Sequence, residues 1–119
     1  MSEAQTIADT PGIARELTAF QQNILTILAE KPRYGLAIKR ELETYYDSDV
    51  NHGRLYPNLD DLVEMGLVEK SELDKRTNQY SLTDEGYDAI IDQLGWAFDK
   101  VVTDEDCAED LRSLIDQCL

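Results

Sequence analysis

Between Val50 and Val68 the apolar positions settle into one period: Leu55, Leu59 and Leu62 fall at i, i+4 and i+7, which places them on a single stripe of a helix. Asn51 is suited to cap the first turn, and Gly66 to end the helix in the left-handed conformation, so that Leu67-Val68 opens a strand directly afterwards. Pro57 lies inside this helix, where it removes the bond to the Gly53 carbonyl and is expected to bend the axis. Upstream, Thr18 caps a first helix in which Phe20, Ile24, Ile27 and Leu28 recur at helical spacing until Lys31-Pro32-Arg33 breaks it. A second helix runs from about Leu36 to Tyr46, with Leu36, Ile38, Leu42 and Tyr45 as apolar anchors and Lys39-Arg40 exposed between them. It closes in the polar loop Asp47-Ser48-Asp49.

After the third helix the pattern changes from helical spacing to alternation. Val68-Glu69-Lys70-Ser71 and Gln79-Tyr80-Ser81-Leu82 read as half-buried strands over 67–73 and 78–82, joined by Asp74-Lys75-Arg76-Thr77. Three helices followed by a two-stranded ribbon with a basic tip is the order of a winged helix-turn-helix, a mainly α fold with a small β-hairpin (α+β). Thr83 then caps a long helix, with Asp84 and Glu85 favourably placed against its dipole. Tyr87, Ile90, Ile91, Leu94, Phe98, Val101 and Val102 form its apolar stripe. Thr103-Asp104-Glu105-Asp106 opens a last helix that carries Cys107, Leu111, Leu114, Ile115 and Cys118 on one face. So much apolar helix beyond a complete small domain calls for a partner surface, and a symmetric dimer supplies one with a single patch. The chain thus divides into a flexible tail (1–16), a winged helix-turn-helix (17–83) and a helical dimerisation region (84–119), whose interface residues are Tyr87, Ile90, Ile91, Leu94, Phe98 and Val101.

Composition alters this picture in one respect. The chain has 119 residues, one domain's worth, and a formal net charge of −14, which at first sight argues against a polyanionic partner. The charge is unevenly spread: residues 31–76 hold eight of the eleven basic residues against ten acidic ones, a net of −2, and the rest of the chain carries the other −12. A body wrapped in carboxylates also suits a protein adapted to molar salt, where screening removes self-repulsion, and a halophilic origin is the preferred explanation. There is no run of eighteen or more apolar residues and no secretory leader pattern, so a cytoplasmic protein without a membrane segment is expected. Cys107 and Cys118, eleven residues apart on one helix, are separated by roughly 16 Å, too far for a bridge within the helix, and are expected to be buried thiols.

Candidate chemistry collects at the start of the third helix. The face opposite the leucine stripe carries Gly53, Pro57, Asp60, Asp61 and Glu64, so only the N-terminal end lacks acid. A helix approaching DNA must therefore enter with Asn51, His52, Gly53, Arg54 and Tyr56, and with Asn58 one turn on. Arg54 has the fork that matches guanine O6 and N7; the plain alternative is a solvated charge. His52, at a positive helix end, suits a neutral hydrogen-bonding role, and as the sole histidine it makes no metal site. Lys75 and Arg76 at the ribbon tip suit phosphate or minor-groove contacts, with Lys39, Arg40 and Lys70 as weaker candidates or ordinary solvated charges. Trp96 and Phe98 either line an aromatic ligand pocket at the dimer axis or are plain interface core. No catalytic triad, phosphate loop or metal-ligand spacing is present, so neither an enzyme nor a cofactor is expected, and the competing class is a winged-helix module that binds a basic protein instead of DNA.

With these residues placed, the sequence resembles the PadR-like family of winged-helix transcription regulators. The resemblance rests on Tyr34-Gly35, on Gly53-Arg54-Leu55-Tyr56-Pro57-Asn58-Leu59, on Leu62 to Gly66-Leu67-Val68 and on Tyr80-Ser81-Leu82-Thr83-Asp84-Glu85-Gly86, and covers roughly residues 17–100. It implies a homodimeric, usually repressing regulator of double-stranded DNA, with dimer contacts from the C-terminal helix and, in some members, a response to small aromatic or cationic effectors. Where the family often has Ser-Pro-Gly-Thr entering the recognition helix this chain has Asn51-His52-Gly53-Arg54, so base preferences do not transfer.

Overall fold

The computed structural model describes residues 16–74 and 77–119. Among them the order is α1 (Ala19–Glu30), β1 (Arg33–Tyr34), α2 (Gly35–Tyr46), α3 (His52–Glu64), β2 (Val68–Glu72), β3 (Asn78–Leu82), α4 (Asp84–Val101) and α5 (Glu105–Cys118). All but the last residue of the expected tail, and both Lys75 and Arg76, lie outside the described residues.

The first helix starts on a capping box. Thr18 Oγ1 accepts from Gln21 N and Gln21 Oε1 accepts from Thr18 N, each at 3.1 Å. The remaining half of the Gln21 amide donates to Asn58 Oδ1 at 3.1 Å, so this buried polar side chain ties the start of α1 to the middle of α3. The turn between α2 and α3 is held by Glu43. Its carboxylate accepts from Val50 N at 3.0 Å and pairs with Lys39 Nζ at 2.9 Å, while Asp47 reverses the chain in the left-handed region (φ 53°). The Val50 N–H, and after it the Lys39 ammonium, hold the Glu43 carboxyl below its ordinary range.

The leucine stripe of α3 forms the centre of the core: Leu55, Leu59 and Leu62 are wholly buried, with Ile24, Ile38 and Leu42 packed in the same cluster. Full burial of each such side chain stabilises the fold by roughly 1.5–3 kcal/mol. Two expected anchors of α2 do not belong there. Leu36 and Tyr45 are exposed, because the inward row Ile38–Leu42 continues at i+4 with Tyr46, whose ring stacks against Phe20 at 6.2 Å. The ribbon, too, is a three-stranded antiparallel sheet, ordered β1-β3-β2, with Arg33 opposite Tyr80 and Tyr34 opposite Gln79. A two-residue strand is too short to show alternation. Arg33 holds it in place through ion pairs to Glu30 and, at 3.2 Å, to Glu41.

The junction of sheet and α4 accounts for two of the sequence elements. Gly66 adopts φ +80° as its position demands. The Thr83 hydroxyl donates to Gly66 O at 2.7 Å and accepts from Gly86 N at 3.0 Å, while Thr83 N donates to Leu67 O at 3.1 Å. A Cβ on Gly86 would stand 2.2 Å from Leu67 O, so only glycine allows this approach. Helix α4 then meets the core through Gly86, Ala89 and Ile90. Tyr87, Ile91, Leu94, Phe98 and Val101 lie roughly 100° further round and remain exposed. In α5 no residue is buried; Cys107 is half-buried and Cys118 exposed, contrary to the expectation of two buried thiols, because no part of the helix is packed into the core.

Candidate nucleic-acid interface

Helix α3 presents its N-terminal turn at the surface. The Asn51 side chain accepts from Arg54 N at 2.8 Å, capping the turn, and His52, Gly53 and Arg54 follow it, all exposed. The His52 ring stacks on that of Tyr56, centroids 5.5 Å apart and planes within 9°. Tyr56 in turn crosses Gly35: a Cβ there would come within 2.7 Å of the Tyr56 hydroxyl, which explains Tyr34-Gly35 as a clearance for the aromatic ring. These contacts pack the first turn of α3 against the start of α2.

Arg54 is neither a bare solvated charge nor an extended fork. Its guanidinium lies 4.0 Å from the centre of the Phe20 ring and 5.9 Å from that of Tyr46, a cation–π contact that parks it against α1 and α2. Asn58 is committed on both sides, accepting from Gln21 and donating to Arg54 O at 2.7 Å. Lys39 is half-buried in its pair with Glu43. Arg40 and Lys70 are exposed, Lys70 opposite Tyr80 in the sheet. Asp60, Asp61 and Glu64 stand on the outer and C-terminal part of α3, leaving the first turn as its acid-free exposed end.

Beside that turn a cleft of about 460 Å³ separates the start of α2 from the sheet, lined by Tyr34, Leu36, Tyr56, Asn78 and Tyr80. Burial, followed by the nearby Asp60 carboxylate, raises the Tyr80 phenol above its ordinary range. A second cleft of about 140 Å³ lies between α1 and α4 and includes Ile90 and Leu94. Trp96 and Phe98 line neither. Two residues apart on a helix, they point about 200° from one another, with Lys100 Nζ 5.9 Å from the Trp96 ring centre.

The residues that brace the site were less visible than those that form it. Gln21 was readable as the second half of a Thr18-x-x-Gln21 capping box, but its reach to Asn58 spans 37 positions and leaves no local signal. Phe20 as a platform for Arg54 has the same character, since nothing in an apolar periodicity says which ring a cation will cover.

The Transcriptional regulator PadR-like family matches residues 24–91, more than half of the chain. RosR of H. salinarum is similar at 65% identity, with 87% of this chain and 94% of that chain covered and a TM-score of 0.85. A PadR family transcription regulator from Clostridium difficile aligns at 24% identity over 70% of this chain and 92% of its own, TM-score 0.56. PadR of Bacillus subtilis, whose structure is a complex with operator DNA, aligns at 23% identity over 65% of this chain and 47% of its own, TM-score 0.55. No curated protein sequence matches at a comparable level. The chain belongs to the PadR-like family of transcriptional regulators, a family of regulators and not of enzymes, and its fold is the family's winged helix. Among the described residues no helix is long and apolar enough to cross a membrane.

Proposed function

We propose that this regulator binds double-stranded DNA sequence-specifically as a homodimer and represses transcription, with the first turn of α3 in the major groove and the wing on the backbone or minor groove. The observation that carries the reading is the acid-free, exposed N-terminal turn of α3, in a chain whose surface is otherwise dominated by carboxylates. The operator complex of Bacillus subtilis PadR, a distant relative with the same fold, supports it. In this arrangement Asn51, His52, Arg54 and Tyr56 face base edges, Asn58 holds the helix, and Lys75 and Arg76 meet phosphates, with Arg40 and Lys70 as weaker contacts and Lys39 held back by its pair with Glu43. Residues 17–83 then form the DNA-binding unit and 84–119 the dimerisation unit. Repression, like a response to small aromatic or cationic effectors, is what family membership suggests.

Selection from a random duplex pool in molar KCl, followed by titration of the enriched duplex, tests the proposal. A two-fold symmetric motif with half-sites about one helical turn apart is expected. A pool that shows no enrichment would overturn sequence-specific binding and favour an interaction module for a basic protein.

A further inference from the structure

Helix α5 buries no residue against its own chain: on its apolar face Cys107 and Leu111 are half-buried, and Leu114, Ile115 and Cys118 are exposed. Along that face run Cys107, Leu111, Leu114 and Cys118, separated by four, three and four positions. The spacing reads the same from either end. A helix with a palindromic stripe is its own complement when a second copy lies antiparallel to it, the dyad passing between Leu111 and Leu114. Leu111 then faces Leu114 of the other copy, and Cys107 faces Cys118.

The charges favour the same direction. Glu105, Asp106, Glu109 and Asp110 crowd the first half of α5, whereas the second half carries Asp116 together with Ser113 and Gln117. A parallel pair would set Asp106 and Asp110 against their own copies. The antiparallel pair sets Asp106 level with Leu119 and Asp110 level with Ile115, where Gln117 is its nearest polar neighbour, and it opposes the two helix dipoles as well. Arg112 is already engaged at 2.9 Å with Glu105 and 2.7 Å with Glu109, outside the apolar face.

A stable dimer needs the exposed stripe of α4 as well as the face of α5. Leu114 and Ile115 on α5 are 56% and 50% exposed, and Tyr87, Ile91, Leu94, Phe98 and Val101 on α4 between 38% and 54%. Taken together these side chains offer on the order of 600–800 Å² per copy, close to the ~800 Å² per partner of a standard interface.

We infer that α5 pairs antiparallel with α5 of a second copy of this chain, bringing Cys107 of each protomer against Cys118 of the other. The inference rests on the homodimer proposed above and adds its register. Facing positions on closely packed helices fall within the roughly 4.4–6.8 Å Cα separation that a disulfide requires, whereas like cysteines would stand roughly 16 Å apart along the pair.

The full chain treated with diamide in 2 M KCl tests it. Each coupling breaks two S–H bonds and forms one S–S bond, the two electrons and two protons passing to the diazene. Near-complete conversion to a covalent dimer is expected, with Cys107–Cys118 as the linked peptide pair. Cys107→Ser and Cys118→Ser should each abolish the dimer band, and mixing the two variants should restore it through a single bridge. A chain that sediments as a dimer but gives no bridge, or links Cys107 to Cys107 or Cys118 to Cys118, overturns the antiparallel register and leaves the homodimer standing. A chain that sediments as a monomer overturns both.

Discussion

Arg54 has two places to be. In the structure its guanidinium covers the Phe20 ring at 4.0 Å; to read a guanine it must swing off that ring into the groove. An exposed cation–π contact stabilises by about 0.5–1 kcal/mol, less than the ~1–3 kcal/mol of a bidentate base contact, so binding can displace it. Arg54→Ala is therefore expected to lower affinity for the selected operator by ~1–3 kcal/mol and thermal stability only slightly, whereas changing Lys75 and Arg76 together to alanine should weaken binding to all duplexes alike. Titrations against operator and random duplex check this, and equal losses on both duplexes for both changes would remove the division of roles. Gly86 represents the opposite case, a residue with no chemistry and no freedom. Because a Cβ would meet Leu67 O at 2.2 Å, Gly86→Ala should cost ~1–3 kcal/mol in a denaturant titration while leaving the first turn of α3 untouched.

At the scale of elements, α4 has two faces that serve different neighbours. The small residues Gly86 and Ala89, with Ile90, dock it on its own core, while Leu94, 44% exposed, stands on the outward stripe. A carboxylate at Leu94 therefore meets water in one chain and apolar side chains in a dimer. Leu94→Asp should dissociate the dimer and abolish tight operator binding, which needs both half-sites engaged together, while far-ultraviolet circular dichroism stays unchanged. Persistence of the dimer in sedimentation would place the interface elsewhere. The same helix marks what the sequence made legible. Its caps, the stripe of α3 and the left-handed Gly66 were readable because each is a local rule obeyed within one or two turns. Strand β1 was not, since Arg33-Tyr34 pairs with residues 45 and more positions away, and two residues carry no period. Tyr45 and Tyr46 are adjacent and equally apolar, and which of them turns inward depends on where Phe20 lies.

For the molecule as a whole, the net charge of −14 sets how its stability should vary with salt. Outside residues 31–76 fifteen acidic residues stand against three basic ones, so in dilute buffer the folded chain suffers a self-repulsion that the more expanded unfolded chain partly escapes. Screening lengths of about 3 Å near 1 M salt relieve it, and we expect the melting temperature to rise with KCl from 0.1 to 3 M. Binding should follow a different course from that of a basic regulator. Two of the eight central cations, Arg33 and Lys39, are already engaged with carboxylates, and in the proposed arrangement Arg54 goes to a base edge, so few counterions should be released from phosphates per protomer. The loss of affinity with salt should accordingly be shallower than the roughly 10³–10⁵-fold between 50 and 200 mM that six to ten phosphate contacts entail. Melts and operator titrations over one KCl series measure both halves. A melting temperature highest in the dilute buffer would overturn the halophilic reading, and a steep inverse dependence of affinity would mean that Lys31, Arg40, Lys70 and the wing tip reach more phosphates than this arrangement of charge allows.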